Sequence, residues 1–159
     1  MVRSTSTVSC LWARTQFVPM LAAMGAHPDP QWLARTSLFV GVEAEQLAVL
    51  SQSFERREYE EGQVLLARDQ RGYVFYVIES GHARAEIDGK TMEILASGSV
   101  FGEIAFFTPD GVRTATIVAE TPLRVWSMFG TSFRKMLADL PEVASRLDAL
   151  AKERSERTA

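Results

Sequence analysis

Five glycines, Gly62, Gly72, Gly81, Gly89 and Gly98, recur about every eight to ten residues through the middle of this chain. Between and beyond them lie short runs rich in Val, Ile, Phe and Tyr, such as "GYVFYVIES" and "TATIVAETPLRVWSMF". Short strands at that rhythm, separated by turn glycines, point to an all-β sandwich or barrel. The clearest piece is "ARAEIDGKTMEIL", where Asp88-Gly89 is a favoured two-residue hairpin turn between alternating flanks.

The pattern changes on both sides of this block. Upstream, "HPDP" (27–30) is turn chemistry and a helix start. Trp32, Leu33 and Phe39 then follow a helical spacing, as do Val42, Leu47, Leu50 and Phe54, with Glu43 and Glu45 in a first turn where acids are favourable. Downstream, Phe133, Met136, Leu137 and Leu140 share one helix face, with Thr131 or Ser132 as the expected cap. Pro141 ends that helix and starts another, whose apolar stripe is Val143, Leu147 and Leu150. The expected organisation is therefore a poorly ordered tail over 1–26, helices over 30–52, a β barrel over 54–130 and helices over 131–155, the last three forming one domain from 27 to 159.

At 159 residues the chain can bury one core. Its net charge of −3 gives no general attraction to nucleic acid. A single cysteine, Cys10, cannot form an internal disulfide, and the chain reads as cytoplasmic. No apolar run approaches the roughly 20 residues that span a bilayer. In "FVPMLAAMGA" (17–26) Pro19 comes early and Met24 occupies a place where a signal peptide needs a small residue, so export is not expected. Met20 and Met24 are alternative starts.

Catalytic chemistry finds no foothold. His27 and His82 lack neighbours at metal-ligand spacing and read as solvated loop residues. "DGKT" (88–91) resembles the end of a phosphate loop, but Arg84 stands where that motif needs glycine. Cys10 has no visible base partner. The expectation is a protein without enzymatic activity, metal or cofactor.

One stretch does carry chemistry: "FGEIAFFTPDGVRTATI", 101–117. A strand ends at Phe101, and a short helical turn over 102–106 would leave the N–H groups of Glu103, Ile104 and Ala105 free for an anion. Gly102 allows close approach to the backbone. Arg113, at the far end of the loop, offers a planar fork for phosphate oxygens, and Thr114 adds a hydroxyl. Glu103 can only accept, so its natural target is a sugar hydroxyl. Phosphate on Arg113 and ribose on Glu103 are the demands of a cyclic nucleotide. A solvated loop with a weak ion pair is the alternative that residue types alone leave open.

From about Leu33 onward the chain resembles the cyclic nucleotide-binding domain of bacterial catabolite activators, kinase regulatory subunits and nucleotide-gated channels. "FGEIAFF" and "RTATI" match that family's phosphate-binding cassette, and "EEGQVLL", "FYVIESGHARA" and "LASGSVFGE" place glycines where the family turns its strands. The resemblance implies a mainly β fold, an eight-stranded antiparallel jelly-roll barrel flanked by N-terminal and C-terminal helices. It implies Glu103 on the ribose 2′-hydroxyl, Arg113 on the cyclic phosphate, Thr114 on phosphate or base, and the backbone of Gly102, Ile104 and Ala105 completing the cradle. Leu95, with Val64 and Val100, would line the base pocket. A residue of the last helix would cover the base; Arg146, Leu147, Leu150 and Arg154 are equal candidates.

Only about a dozen residues follow Leu147, too few for a helix-turn-helix, so direct DNA binding is not expected. The reading is a free-standing cytoplasmic sensor of cyclic AMP, with cyclic GMP also admitted by Thr114, acting as monomer or homodimer on an unidentified protein effector through its C-terminal helices. The alternatives are a scaffold that uses the same fold for protein contact and a truncated transcription regulator.

Overall fold

The structure, a computed structural model, describes residues 27–158. The expected tail over 1–26 lies outside the described residues. In chain order the elements are α1 (Pro30–Arg35), α2 (Ala44–Ser51), β1 (Glu55–Tyr59), β2 (Val64–Leu66), β3 (Val74–Ser80), β4 (Ala83–Ile87), β5 (Lys90–Leu95), β6 (Val100–Phe101), α3 (Ile104–Phe107), β7 (Thr116–Ala119), β8 (Leu123–Phe129), α4 (Gly130–Asp139) and α5 (Pro141–Thr158).

The eight strands are antiparallel and form two four-stranded sheets, ordered β1-β8-β3-β6 and β2-β7-β4-β5. This is the expected jelly roll, arranged as two facing sheets and not as one closed ring. The β4–β5 hairpin turns at Asp88 and Gly89, with φ of 52° and 77°, the left-handed pair that a two-residue hairpin requires. Asp29 caps α1 by accepting from the Gln31 N–H at 2.9 Å, and Pro30 fills the first helical position. His27 is exposed, yet its Nδ1 lies 3.1 Å from the Phe54 carbonyl oxygen, which ties the start of α1 to the end of α2.

The apolar run of β3 explains the layering. Phe75 and Val77 point to one face and pack with Trp126 and Met128 of β8 against the helices. Tyr76 and Ile78 point to the other and join Leu95, Phe101, Ile117 and Val125 between the sheets. A strand buried on both faces loses the polar alternation of a surface strand. The helical layer brings Leu33 and Phe39 together with Leu47, Phe133, Val143 and Leu147, all at the floor of exposure. Each such side chain contributes about 1.5–3 kcal/mol of burial.

The start of α4 differs from expectation. Thr131 and Ser132 do not cap it; the helix begins at Gly130, after Phe129, with no side-chain cap. Packing explains the glycine: a Cβ there would lie 3.1 Å from the Tyr73 carbonyl oxygen and 3.2 Å from the Phe106 ring. α5 runs to Thr158, about one turn past the expected 155. No described helix is long and apolar enough to cross a membrane.

Candidate functional site

The short strand β6 runs into Gly102, whose φ of +88° turns the chain sharply into α3. A Cβ at Gly102 would sit 2.7 Å from the Val74 carbonyl oxygen, so both conformation and space require glycine. The turn drives Glu103 inward until only 1% of it is exposed. The Phe106 N–H bonds the Glu103 carbonyl at 3.0 Å, so the amides of 103–105 precede the first helical bond of α3. The Phe106 ring also packs at a tilt against that of Phe133, their centres 4.2 Å apart, linking this segment to α4.

Arg113 arrives from the loop after α3. Its backbone is pinned on both sides, donating to the Gln70 carbonyl at 2.9 Å and accepting from the Asp69 N–H at 2.9 Å. The residue is 6% exposed, and its side chain donates from Nη1 to the Gly102 carbonyl at 2.8 Å and from Nη2 to the Val74 carbonyl at 3.0 Å. Gly72 makes the seat: a Cβ there would stand 2.5 Å from the guanidinium carbon. Among the described residues no carboxylate forms an ion pair with Arg113. Burial pulls its pKa below the usual arginine value, against the opposing influence of Tyr76 and Glu103. A buried cation of this kind calls for an anion.

α5 closes the same space. Arg154 donates from Nη1 to Glu103 Oε1 at 2.7 Å and to the Val100 carbonyl at 2.8 Å. Its Nη2 donates to Glu93 Oε2 at 2.7 Å, and Arg157 Nη2 reaches Glu93 Oε1 at 2.8 Å. Burial works against the Arg154 charge, but Glu103 and Glu93 outweigh it and raise its pKa. Burial likewise acts to raise the Glu93 carboxyl, while hydrogen bonds and charge from Arg154 and Arg157 hold it below the usual carboxylate range.

These groups surround one cavity of about 70 Å³, between α3, α5 and the inner faces of β4, β5 and β7. Seven of the residues expected at the site line it: Leu95, Gly102, Glu103, Ile104, Ala105, Arg113 and Thr114. Val100 and Val64 do not. Val100 is buried in the helical core because β6 turns that side chain away from the facing sheet, and Val64 stands 53% exposed on β2. In their place Leu66, Ala85, Met92 and Ile117 form the apolar wall.

Among the four lid candidates the structure puts Arg154 at the cavity. Arg146 instead donates to the Leu38 and Val40 carbonyls, Leu147 is fully buried in the helical core, and Leu150 packs against it. Sequence reasoning missed Glu93 and Arg157. The alternation of β5 puts Glu93 on the face of Leu95, two residues on, which was a usable signal. A bulge opposite Ala85 and Glu86 then brings Met92 to the same cavity, which no pattern in the sequence announces.

The family model described as "Cyclic nucleotide-binding domain" matches residues 56–139. The chain is 32% identical over 102 residues to a cAMP-dependent protein kinase regulatory subunit of Yarrowia lipolytica, covering 64% of this chain and 27% of that one. It is 30% identical over 142 residues to a cGMP-dependent protein kinase of Caenorhabditis briggsae, covering 82% and 19%. Among solved structures, the catabolite activator protein of Thermus thermophilus superposes with a TM-score of 0.65 at 28% identity, covering 75% of this chain and 58% of the other. The chain thus spans about a quarter or less of the two kinase-related proteins.

Proposed function

The chain belongs to the cyclic nucleotide-binding domain family, and from that premise we propose that it is a non-enzymatic regulatory module of the cytoplasm whose ligand is cyclic AMP. The observation that carries the reading is Arg113, a buried cation with no ion-pair partner among the described residues, seated between two glycines at the cavity wall. The cavity lining holds three guanidiniums, of Arg113, Arg154 and Arg157, and two carboxylates, of Glu93 and Glu103. Three positive charges less two negative leaves one positive, which a cyclic phosphodiester with its single negative charge neutralises. The apolar wall of Leu66, Ala85, Met92, Leu95 and Ile117 suits a purine face.

In this reading the phosphate sits on Arg113 and the 103–105 amides, and Glu103 accepts from the ribose 2′-hydroxyl. Thr114 adds a hydroxyl to phosphate or base. The signal passes to the C-terminal helices by two contacts: the Phe106–Phe133 ring contact onto α4, and Arg154 of α5 on Glu103. A ligand that prefers one arrangement of these helices shifts their equilibrium by its differential affinity.

Calorimetric titration with cyclic AMP, cyclic GMP and 2′-deoxy cyclic AMP tests the proposal. The expected result is micromolar or tighter binding of cyclic AMP, weaker binding of the 2′-deoxy analogue, and none to Arg113→Ala. Absence of heat for all three with folded protein would overturn it.

A further inference from the structure

α2 and α4 wall a groove of about 540 Å³, and none of its residues lines the nucleotide cavity. On the α2 side it is faced by Gln46, Val49, Leu50 and Ser53. On the α4 side it is faced by Ser132, Lys135, Met136 and Asp139. Both sets follow the i, i+3, i+4, i+7 spacing of a single helix face. Leu50, Met136 and Leu140 are buried there, at 8%, 2% and 7% exposed. Val49 beside them is 73% exposed, more than any other large apolar side chain among the described residues. The charge around the groove is unbalanced. Lys135 pairs with Asp139 on its own helix, whereas Glu45, in the first turn of α2, has no ion pair among the described residues.

The chain itself carries a matching segment. His27, the first described residue, stands at one end of the groove, its Nδ1 3.1 Å from the carbonyl oxygen of Phe54, the neighbour of Ser53. Just before it in sequence comes "FVPMLAAM", residues 17–24, which holds no charge and five large apolar side chains, Phe17, Val18, Met20, Leu21 and Met24. Arg14 is the one charged residue between 4 and 26. We propose that residues 17–24 dock in the α2–α4 groove and cover Val49, with Arg14 reaching Glu45 at the far end. The reach is sufficient: the eight residues of α2 rise about 12 Å, and thirteen residues, from Arg14 to His27, span up to about 43 Å. A segment joined to the groove by a short stretch of its own chain has an effective concentration of order millimolar, an advantage over any separate partner of similar apolar character.

The test uses the whole chain of 159 residues. Cys10→Ser removes its single native thiol. In that background Val49→Cys is combined in turn with Met20→Cys, Leu21→Cys and Met24→Cys, because a disulfide needs Cα atoms within about 7 Å and three positions sample the register. At least one pair should close within the chain on mild oxidation. The same three paired with Val64→Cys, exposed on the edge strand β2, should not. The second measurement is chymotryptic cleavage after Phe17 or Leu21, read by mass spectrometry. Val49→Asp should quicken it about five- to tenfold over the parent, since cleavage follows the open population, while Val64→Asp leaves it within twofold. Both aspartate variants alter exposed positions, and circular dichroism checks that they remain folded. No bond from any of the three positions, or an unchanged cleavage rate in Val49→Asp, would overturn the docking. A disulfide that joins two chains would give the groove to a second copy and overturn it as well.

Discussion

Replacing Gly72 with alanine tests how the binding arginine is positioned without altering the arginine itself. The new Cβ would stand 2.5 Å from the Arg113 guanidinium carbon, where no real contact survives. Gly72 does not adopt a positive φ, so alanine fits its backbone and the flexible arginine is the group that yields. Moving it breaks the bonds to the Gly102 and Val74 carbonyls at 2.8 and 3.0 Å. A hydrogen bond from a charged donor contributes about 1.5–3 kcal/mol, and water recovers part of the loss. The unfolded chain also loses entropy on gaining a Cβ, offsetting about 0.4–1 kcal/mol. The expected net destabilisation is therefore about 1–2 kcal/mol, within reach of a urea melt. Ligand binding should suffer more, because the phosphate loses its oriented fork. A loss of about 1.5–3 kcal/mol corresponds to roughly a ten- to 150-fold weaker Kd for cyclic AMP. The assay is calorimetric titration of protein shown to be folded by circular dichroism. Affinity within threefold of the parent, alongside an Arg113→Ala variant that does not bind, would refute the claim that Gly72 makes the seat.

Three further outcomes follow from particular contacts. Gly102→Ala meets both a φ of +88° and the Val74 carbonyl oxygen at 2.7 Å, so urea melts should show a loss of about 2–4 kcal/mol, clearly larger than for Gly72→Ala. Phe133→Ala removes a fully buried ring packed at a tilt against Phe75 at 4.8 Å and Phe106 at 4.2 Å, for an expected cost of about 3–5 kcal/mol and faster hydrogen exchange in α3. The Glu93 carboxyl titrates below its ordinary 4.5 in the folded protein. Its contribution to stability is therefore complete above that value and disappears as pH falls through the lower folded pKa. The stability gap between the parent and Glu93→Gln should stay constant from neutral pH down to about 4.5 and close at more acid pH; a gap that persists there would contradict the ion pair with Arg154.

Much of the fold was legible because its signals are local. Glycine spacing, the Asp88-Gly89 turn and the helical periods around Leu47, Phe133 and Val143 each depend on a few neighbouring residues, and the structure realises all of them. Where local signals were weak, expectation and structure part. The cap of α4 moved because Tyr73 and Phe106 leave no room for a side chain at Gly130. Val100 follows the helical core because β6 has only two residues, too few for alternation to reveal which side faces the other sheet.

The site divides in the same way. Gly102, Glu103, Ile104, Ala105, Arg113 and Thr114 sit within one short stretch, so the chemistry of a turn followed by an arginine was readable from the sequence by itself. The seat of Arg113 on Gly72 and Val74, about forty residues earlier, was not, nor was the meeting of Glu93, Glu103 and Arg154. Those contacts depend on strand register, on a bulge in the β4–β5 pair and on the length at which α5 crosses the cavity. Turn conformation and amphipathic period are set within a few residues of backbone, whereas a cluster of charges drawn from three distant segments exists only once the sheets and helices have packed.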